Sequence, residues 1–309
     1  MTPASVDGSR RGGNEPITIA LVNNMPDAAL EATERQFRDL ICAAAGDRAV
    51  ELRVFSFPDL VRSDAARRYV LGHYEDVGHL WETHVDGLIV TGTEPRTPRI
   101  EREAYWPSLT RLVDWAAEHT TSTVWSCLAA HAAVAHLDGI EREPFPARLS
   151  GVFECARSCD HDVLAGMPAC WRVPHSRLNT LSEARLTSAG YEVLSSSAEV
   201  GVDMFARRGK SLFLFLQGHP EYDAGALLRE YQRDITRYLT GKAERYPDMP
   251  VGYLSDGMAT AFCAFRHRAL RHRTADLLGE MPDAAAPPAQ PWRAPGLHLY
   301  ANWLSELAG

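Results

Sequence analysis

The chain has 309 residues, of which 45% are hydrophobic and 23% charged, and its formal net charge is −8. These values predict a globular protein with a full core and exclude a disordered chain. No run approaches the ~18 consecutive apolar residues of a membrane span, and the acidic balance argues against nucleic-acid binding. The N-terminus lacks the apolar segment of a secretory signal, and six scattered cysteines do not form a disulfide scaffold. We therefore expect a cytoplasmic protein without a membrane or nucleic-acid partner.

Regular elements begin after a polar N-terminal stretch. Residues 1–15 predict a disordered tail, and 16–309 predict one domain. In the first half, strand and helix patterns alternate along the chain. The strands are predicted at 17–22, 50–55, 86–92 and 121–125, and the helices at 28–45, 104–118 and 127–136. This rhythm predicts an α/β fold with a mostly parallel sheet covered by helices on both faces.

The second half of the chain is less regular. Apolar runs predict strands at 191–194, 202–206 and 211–217, and helical spacing predicts helices at 223–239 and 257–279. The Pro- and Ala-rich stretch 282–296 predicts an exposed connection. The segment 297–307 carries large apolar side chains, which predict that the end of the chain docks onto the domain.

Cys127 lies between a predicted strand and a helix of small residues. In a parallel sheet this places its sulfur at the carboxyl ends of the strands, where such folds bind ligands. A helix N-terminus stabilises negative charge and offers backbone N–H groups to a developing oxyanion. A buried, inert cysteine is the alternative interpretation, because most free cysteines are of that kind.

His219 and Glu221 follow the strand predicted at 211–217, within the segment Gly218-His-Pro-Glu-Tyr222. A carboxylate two residues after a histidine is able to orient the imidazole, as the third member of a catalytic triad does. An ordinary helix N-cap is the alternative for this segment. Taken together with Cys127, the two strand ends predict a Cys-His-Glu nucleophilic site.

With these two sites, the sequence as a whole resembles the homoserine O-acyltransferases of methionine biosynthesis. That family is related in fold to the class I glutamine amidotransferases, whose fold is flavodoxin-like. The resemblance runs in order from Ile17 to Leu304. It is carried by Asp86–Gly92, Ala104–Trp106, Thr121–Cys127, Leu149–Phe153, Pro174–Arg177, Gly218–Asp223, Arg233-Asp234, Trp292-Arg293 and Asn302–Leu304. The segments Pro-His-Ser-Arg and His-Pro-Glu-Tyr-Asp are together specific.

The resemblance implies acyl transfer from an acyl-CoA to an amino-acid hydroxyl, through an acyl-cysteine on Cys127. His219 would be the general base and Glu221 its partner, while Arg233 would bind the acceptor's carboxylate. Arg148 and Ser176 fall at the family's other substrate-contacting positions. The resemblance also implies a homodimer and no resident cofactor or metal, with succinyl-CoA or acetyl-CoA as co-substrate.

Three positions depart from the family pattern. The family has a lysine after the Met-Pro of the first loop that helps to form the oxyanion hole, and here Asp27 follows Met25-Pro26. Arg148 replaces the usual lysine, which keeps the charge but changes the geometry. Arg96 falls where relatives that use acetyl-CoA carry glutamate and those that use succinyl-CoA carry glycine.

Arg96 favours an anionic donor, because a cation is able to pair with a succinyl carboxylate. The expected activity is therefore homoserine O-succinyl transfer, with O-acetyl transfer or serine as acceptor left open. A surface arginine is the alternative at this position. Two other functions also remain: a glutamine-hydrolysing amidotransferase, which the absence of glycines around Cys127 disfavours, and a non-catalytic binding protein.

Several other groups carry simpler interpretations. Cys155, Cys159 and His161 lack the second pair of ligands typical of a metal site, so no metal is predicted. His131 and His136 are expected to be packed or at the surface. The basic cluster 266–273 predicts a solvated amphipathic helix, with a contact to CoA phosphates as the weaker alternative.

Overall fold

The computed structural model describes residues 15–283 and 289–309, and within them one sheet contains nine strands. The strands are β1 (Ile17–Val22), β2 (Val50–Phe55), β3 (Gly87–Val90), β4 (Ser122–Ser126), β5 (Glu143–Arg157), β6 (Cys170–Thr180), β7 (Glu192–Ser197), β8 (Gly201–Arg208) and β9 (Leu212–Leu216). Their order across the sheet is β2-β1-β3-β4-β9-β8-β7-β5-β6. The ladders from β2 to β9 are parallel, and those from β9 to β6 are antiparallel.

The helices cover both faces of this sheet. They are α1 (Leu30–Ala45), α2 (Asp64–His73), α3 (Val77–Leu80), α4 (Trp106–His119), α5 (Leu128–Asp138), α6 (Glu183–Ser188), α7 (Ala226–Leu239), α8 (Asp256–Arg271) and α9 (Arg293–Ala308), with short 3₁₀ turns at Ile100–Arg102, Asp162–Leu164 and Ala275–Glu280. In the described part of the chain, none of these helices is long and apolar enough to cross a membrane.

Strand β1 shows how the core divides into two layers. Ile19 and Leu21 belong to the apolar cluster that contains the buried faces of α1 and α9. Ala20 and Val22 belong to the opposite cluster, with α4 and α5. Successive side chains of a strand point to opposite faces, so a fully apolar strand requires helices on both sides. The predicted α/β class is confirmed.

A third apolar cluster joins α7 and α8. Leu227, Tyr231 and Ile235 of α7 pack against Phe262 and Phe265 of α8, and all five side chains are buried. Their spacing on each helix places them along one side. This packing fixes α7 beside the carboxyl ends of the parallel strands, where its polar side faces the candidate active site.

Some element boundaries differ from those expected. Helix α8 ends at Arg271 instead of 279. Trp292 is buried, and α9 begins directly after it, so the exposed connection expected over 282–296 is wrong at its C-terminal end. Residues 284–288 lie outside the described residues, as does the predicted tail 1–15 except its last residue. The limits of the single domain stay a prediction.

Candidate active site

Cys127 occupies a sharp turn between β4 and α5. Its backbone has φ 52° and ψ −113°, and no other non-glycine residue in the described ranges has a positive φ. Its N–H donates a 2.7 Å hydrogen bond to the carbonyl oxygen of Leu216 on the neighbouring strand β9. Strained backbone of this kind is kept where the surrounding structure over-determines it, and it is concentrated at functional sites.

Gly92 allows the loop after β3 to approach this turn. A Cβ built on Gly92 would lie 2.8 Å from the Cβ of Leu128 and 3.0 Å from its backbone nitrogen. The first N–H groups of a helix have no acceptor within the helix, and Leu128 is the first residue of α5. The N–H of Leu128 is therefore an available donor directly after Cys127, and the loop of Gly92 packs closely against it.

His219 and Glu221 are held together behind the Cys127 turn. Strands β4 and β9 are parallel neighbours, so the residues after them meet at one edge although they are far apart in sequence. The Nδ1 atom of His219 lies 2.8 Å from Oε1 of Glu221, and both side chains are buried. The imidazole also stacks on the ring of Tyr222, with 4.2 Å between the ring centroids. These contacts fix the ring and leave Nε2 as the nitrogen that is available to Cys127.

The electrostatics of His219 connect it to Cys127. Burial by itself lowers the pKa of His219, but the negative charge of Glu221 raises it, and the charge and hydrogen bond of Cys127 raise it further. The result is a pKa well above the usual value for histidine. Cys127, His219 and Glu221 line one cavity of about 230 Å³, in an arrangement suited to a thiolate–imidazolium pair.

The expected substrate-binding residues line the same cavity and share one polar network. Arg148 donates a 3.2 Å hydrogen bond to the hydroxyl of Ser176, and its Nε lies 3.7 Å from Oδ2 of Asp234. Arg233 pairs with Oδ1 of the same aspartate at 3.0 Å. Ser176 in turn donates a short hydrogen bond to Glu230. Two guanidinium groups are thus held in fixed positions near Cys127.

Glu230, Asp234 and Arg237 are site residues that sequence reasoning missed. With Arg233 they lie three and four positions apart on α7, which puts all four on one side of the helix. Tyr222 donates a 2.6 Å hydrogen bond to Glu230, which links this helix to the ring that stacks on His219. The charged residues of α7 recur at three- and four-residue spacing opposite its apolar side, and this pattern was the sequence signal that could have identified them.

The chain matches the family described as HTS, homoserine O-succinyltransferase, over residues 4–308. The homoserine O-succinyltransferase of Rhodopseudomonas palustris is 47% identical over 318 residues, which cover 100% of this chain and 95% of that protein. The one of Bradyrhizobium japonicum is 46% identical, with 97% and 94% covered. The chain belongs to the homoserine O-succinyltransferase family.

Solved structures of glutamine amidotransferases share the fold. One from Thermotoga maritima has a TM-score of 0.52 at 12% identity and covers 95% of this chain and 99% of its own. Another, from Methylobacillus flagellatus, has a TM-score of 0.51 at 15% identity, with 94% of each chain covered. At this identity the likeness shows the fold alone. The family resemblance implied an amidotransferase-like fold for this chain, and that prediction is confirmed.

Asp27 stands where the homoserine O-succinyltransferase family is expected to carry a first-loop lysine, and it does not line the Cys127 cavity. It accepts a 2.8 Å hydrogen bond from the N–H of Ser63 and lies 3.5 Å from Arg62. Burial raises its pKa, but the hydrogen bonds of Ser63 and the charge of Arg62 outweigh burial and lower it. Asp27 lines a neighbouring cleft. Its negative charge is therefore neutralised at a distance from the cavity.

Arg96 also lines that neighbouring cleft and is not among the residues that line the Cys127 cavity. Its backbone N–H donates a 2.7 Å hydrogen bond to the buried carboxylate of Glu103, which also accepts from Thr97. The Arg96 side chain is exposed. Pro26, Thr93, Glu94 and Pro95 border both spaces, so the family's expected donor-selecting position lies in a cleft next to the cavity and does not line the cavity itself.

Cys155 lies in a buried cluster with His175 and Asp203, whose ligand atoms are within 4.8 Å of one another. Nδ1 of His175 accepts a hydrogen bond from Nε of Arg177 at 3.2 Å, so the proton of the neutral ring is on Nε2, which faces Asp203 at 3.3 Å. Nδ1 is therefore engaged by Arg177, whereas the buried Nε2 contacts Asp203 without a well-formed hydrogen bond, and the absence of a metal stays a prediction. His131 is buried, and burial lowers its pKa to about 3, as expected for a packed histidine.

Proposed function

We propose that the protein transfers the succinyl group of succinyl-CoA to the hydroxyl of homoserine and releases O-succinylhomoserine and CoA. One observation carries the proposal. The cavity of Cys127, His219 and Glu221 also holds Arg233, Arg148 and Ser176, in a chain 47% identical to a named homoserine O-succinyltransferase. A nucleophile next to an amino-acid subsite supports acyl transfer to that amino acid.

In the proposed first half-reaction, the thiol proton of Cys127 moves to Nε2 of His219. The thiolate attacks the thioester carbonyl, and the N–H of Leu128 is placed to donate to the developing oxyanion. The bond from the carbonyl carbon to the CoA sulfur then breaks, and the departing sulfur takes the proton from His219. Glu221 stabilises the imidazolium while it carries that proton. Exchange between thioesters is nearly isoenergetic, so the acyl-cysteine stays reactive.

In the second half-reaction, the hydroxyl of homoserine replaces CoA in the cavity. His219 accepts the hydroxyl proton as the oxygen attacks the acyl-cysteine, and the carbon–sulfur bond breaks. The sulfur of Cys127 then takes the proton back. We assign the acceptor's carboxylate to the guanidinium of Arg233, which is held by Asp234, and its ammonium to the carboxylate of Glu230.

A matrix of two donors and two acceptors tests this proposal. Succinyl-CoA and acetyl-CoA are each combined with homoserine and serine, and free CoA is measured with a thiol reagent. Cys127→Ala is the control for background hydrolysis. We expect the highest kcat/KM for succinyl-CoA with homoserine, and mass spectrometry of a donor-only sample to show succinylated Cys127. Acylation by neither donor, together with ammonia release from glutamine, would support an amidotransferase instead.

Four further properties of the chain are proposed on the same basis. The reaction uses an acyl-CoA as co-substrate and requires no resident cofactor. A homodimer and a cytoplasmic location stay predictions, since they come from the family resemblance and from the composition. Sedimentation of the purified protein tests the predicted homodimer directly.

A further inference from the structure

Arg177 is a buried cation of β6 whose acceptors are all neutral. Its Nε donates to Nδ1 of His175 at 3.2 Å, and its terminal nitrogens donate to the carbonyl oxygens of Asn179 and Val200 and to Oε1 of Gln217. Its side chain is only 4% exposed. Within the described ranges, no carboxylate lies within ion-pair distance of its guanidinium.

A buried charge without an ionic partner is costly, by several kcal/mol even after relaxation. Such a charge is expected where another charge on the protein or the substrate compensates it. Arg177 lines the same cavity as Cys127. Asp203, behind His175, supplies part of that compensation, and negative charge on the sulfur of Cys127 is the larger part, which the cavity offers.

The elements around Arg177 hold its guanidinium in place. The ring of His175 accepts from Arg177 and faces Asp203 with its other nitrogen. Asp203 in turn accepts a 2.7 Å hydrogen bond from the hydroxyl of Ser195. The guanidinium also lies 5.0 Å from the centre of the Phe145 ring. A cation positioned this firmly needs no reorganisation when charge develops nearby.

We propose that Arg177, anchored by His175 and Asp203, is the fixed positive charge that stabilises the anionic sulfur of Cys127. This proposal deepens the proposed acyl transfer. It rests on that function only for the identity of the thioester that the sulfur attacks. Burial lowers the pKa of Arg177 to about 10, while the charge of Cys127 is the largest influence that raises it, so the side chain stays charged at neutral pH.

The other titratable groups of the cavity do not replace this charge. Tyr222 stays neutral because burial and the charge of Glu230 raise its pKa, and His131 is neutral as well. His219 carries only the proton that the sulfur itself gives up. The remaining charged groups of the cavity are Glu94, Arg142, Arg148, Glu221, Glu230 and Arg233. Of the cations, Arg233 pairs with Asp234, Arg148 donates to Ser176 and lies 3.7 Å from the same aspartate, and Arg142 donates to the carbonyl oxygen of Pro98.

The test measures ionisation of the Cys127 thiol in the free enzyme. The rate of alkylation by iodoacetamide is followed from pH 5 to 10 through the peptide that contains Cys127, in native protein and in Arg177→Gln, Arg177→Met and Arg177→Lys. Glutamine retains N–H donors for the carbonyl oxygens but carries no charge. Arg157→Met is the matched control, because Arg157 also donates to two backbone carbonyl oxygens but lies outside the cavity.

We expect the neutral variants to be alkylated about tenfold more slowly near neutral pH, with the midpoint of the profile about one pH unit higher. Arg177→Lys and Arg157→Met should keep midpoints close to the native one. A native midpoint in folded Arg177→Gln would overturn the proposal, as would an equal displacement in Arg177→Lys. Because no acyl-CoA is present, these outcomes are independent of whether succinyl-CoA is the donor.

Discussion

Glu94 and Arg237 join the two sides of the cavity entrance. Each carboxylate oxygen of Glu94, in the loop after β3, accepts a 2.7 Å hydrogen bond from Arg237 on α7. These hydrogen bonds lower the pKa of Glu94, burial opposes them, and the charge of Arg237 lowers it further. The bidentate pair connects the loop that borders both the cavity and the neighbouring cleft to the helix that carries Arg233.

Glu94→Gln should reduce stability slightly and loosen the entrance. Both side chains are more than one-third exposed, so we expect a loss below about 1 kcal/mol in the free energy of unfolding. The folded pKa of Glu94 is depressed from 4.5, so its contribution is present above that value and disappears as the pH falls through the folded pKa. Urea unfolding of the native protein and of Glu94→Gln at pH 7 and pH 3 measures the difference in their free energies of unfolding. An equal difference at both pH values would contradict it.

Cys127→Gly should be more stable than Cys127→Ala. The backbone at this position, with φ 52° and ψ −113°, suits glycine but strains any residue with a Cβ. Strain of this kind is of order 1–3 kcal/mol, so we expect the glycine variant to gain about 1 kcal/mol over the alanine variant. Thermal unfolding compares the two, and neither should release CoA. Equal stability would show that the turn is not strained.

The carboxyl ends of β4 and β9 were predictable because these strands are completely buried. β9 is a continuous apolar run and β4 is a short buried run that includes Ser122, Thr123 and Ser126, and both runs predict strands. That Cys127 and His219 meet depends on β4 and β9 being neighbours. Adjacency of strands is not encoded in either segment. The two strand ends led only to the hypothesis that Cys127 and His219 meet, and the family resemblance then supported it.

In the antiparallel half of the sheet, β7 and β8 were predicted as strands but β5 and β6 were not, and this hid part of the site. β5 begins with Glu143 and Pro144 and is largely exposed over its first half, so it shows no alternation. β6 carries polar residues on a buried strand, because Ser176 and Arg177 face the cavity. Strands that serve a polar site lose the apolar pattern by which strands are recognised.

Glu221→Gln should impair catalysis far more than folding. The amide no longer stabilises the imidazolium of His219, so we expect kcat to fall about 10²- to 10⁴-fold. The pKa of His219 is raised in the folded state, so its protonated form stabilises the fold below pH 6.5, and this contribution is lost as the pH rises through the raised value. The alkaline limb of the kcat/KM profile should move to lower pH in the variant. An unshifted limb would contradict the role given to Glu221.

Gly92→Ala should disturb the oxyanion donor while Gly72→Ala does not. The new Cβ at position 92 would press on Leu128, whose nitrogen would be 3.0 Å away, so the start of α5 must shift. Loss of one oxyanion donor lowers kcat by about 10²- to 10³-fold, and a partial shift should approach the lower value. Gly72 lies in α2 with no atom within 4 Å of an added Cβ, so alanine there should stabilise by up to ~1 kcal/mol. Steady-state kinetics and thermal unfolding separate the two, and native kcat in Gly92→Ala would be the contrary result.

Arg96→Glu should shift donor preference from succinyl-CoA toward acetyl-CoA. Arg96 lies in the cleft that shares Glu94 with the cavity, and its exposed guanidinium is available to a donor carboxylate. Reversal of its charge should lower the ratio of kcat/KM for succinyl-CoA to that for acetyl-CoA at least about tenfold, which corresponds to ~1.4 kcal/mol. Arg99→Glu is the matched control, since Arg99 is an exposed arginine of the same loop that does not line the cleft and faces Glu141 at 3.8 Å. An equal ratio in both variants would mean that Arg96 does not select the donor, and that the succinyl carboxylate is bound by a cation deeper in the cavity.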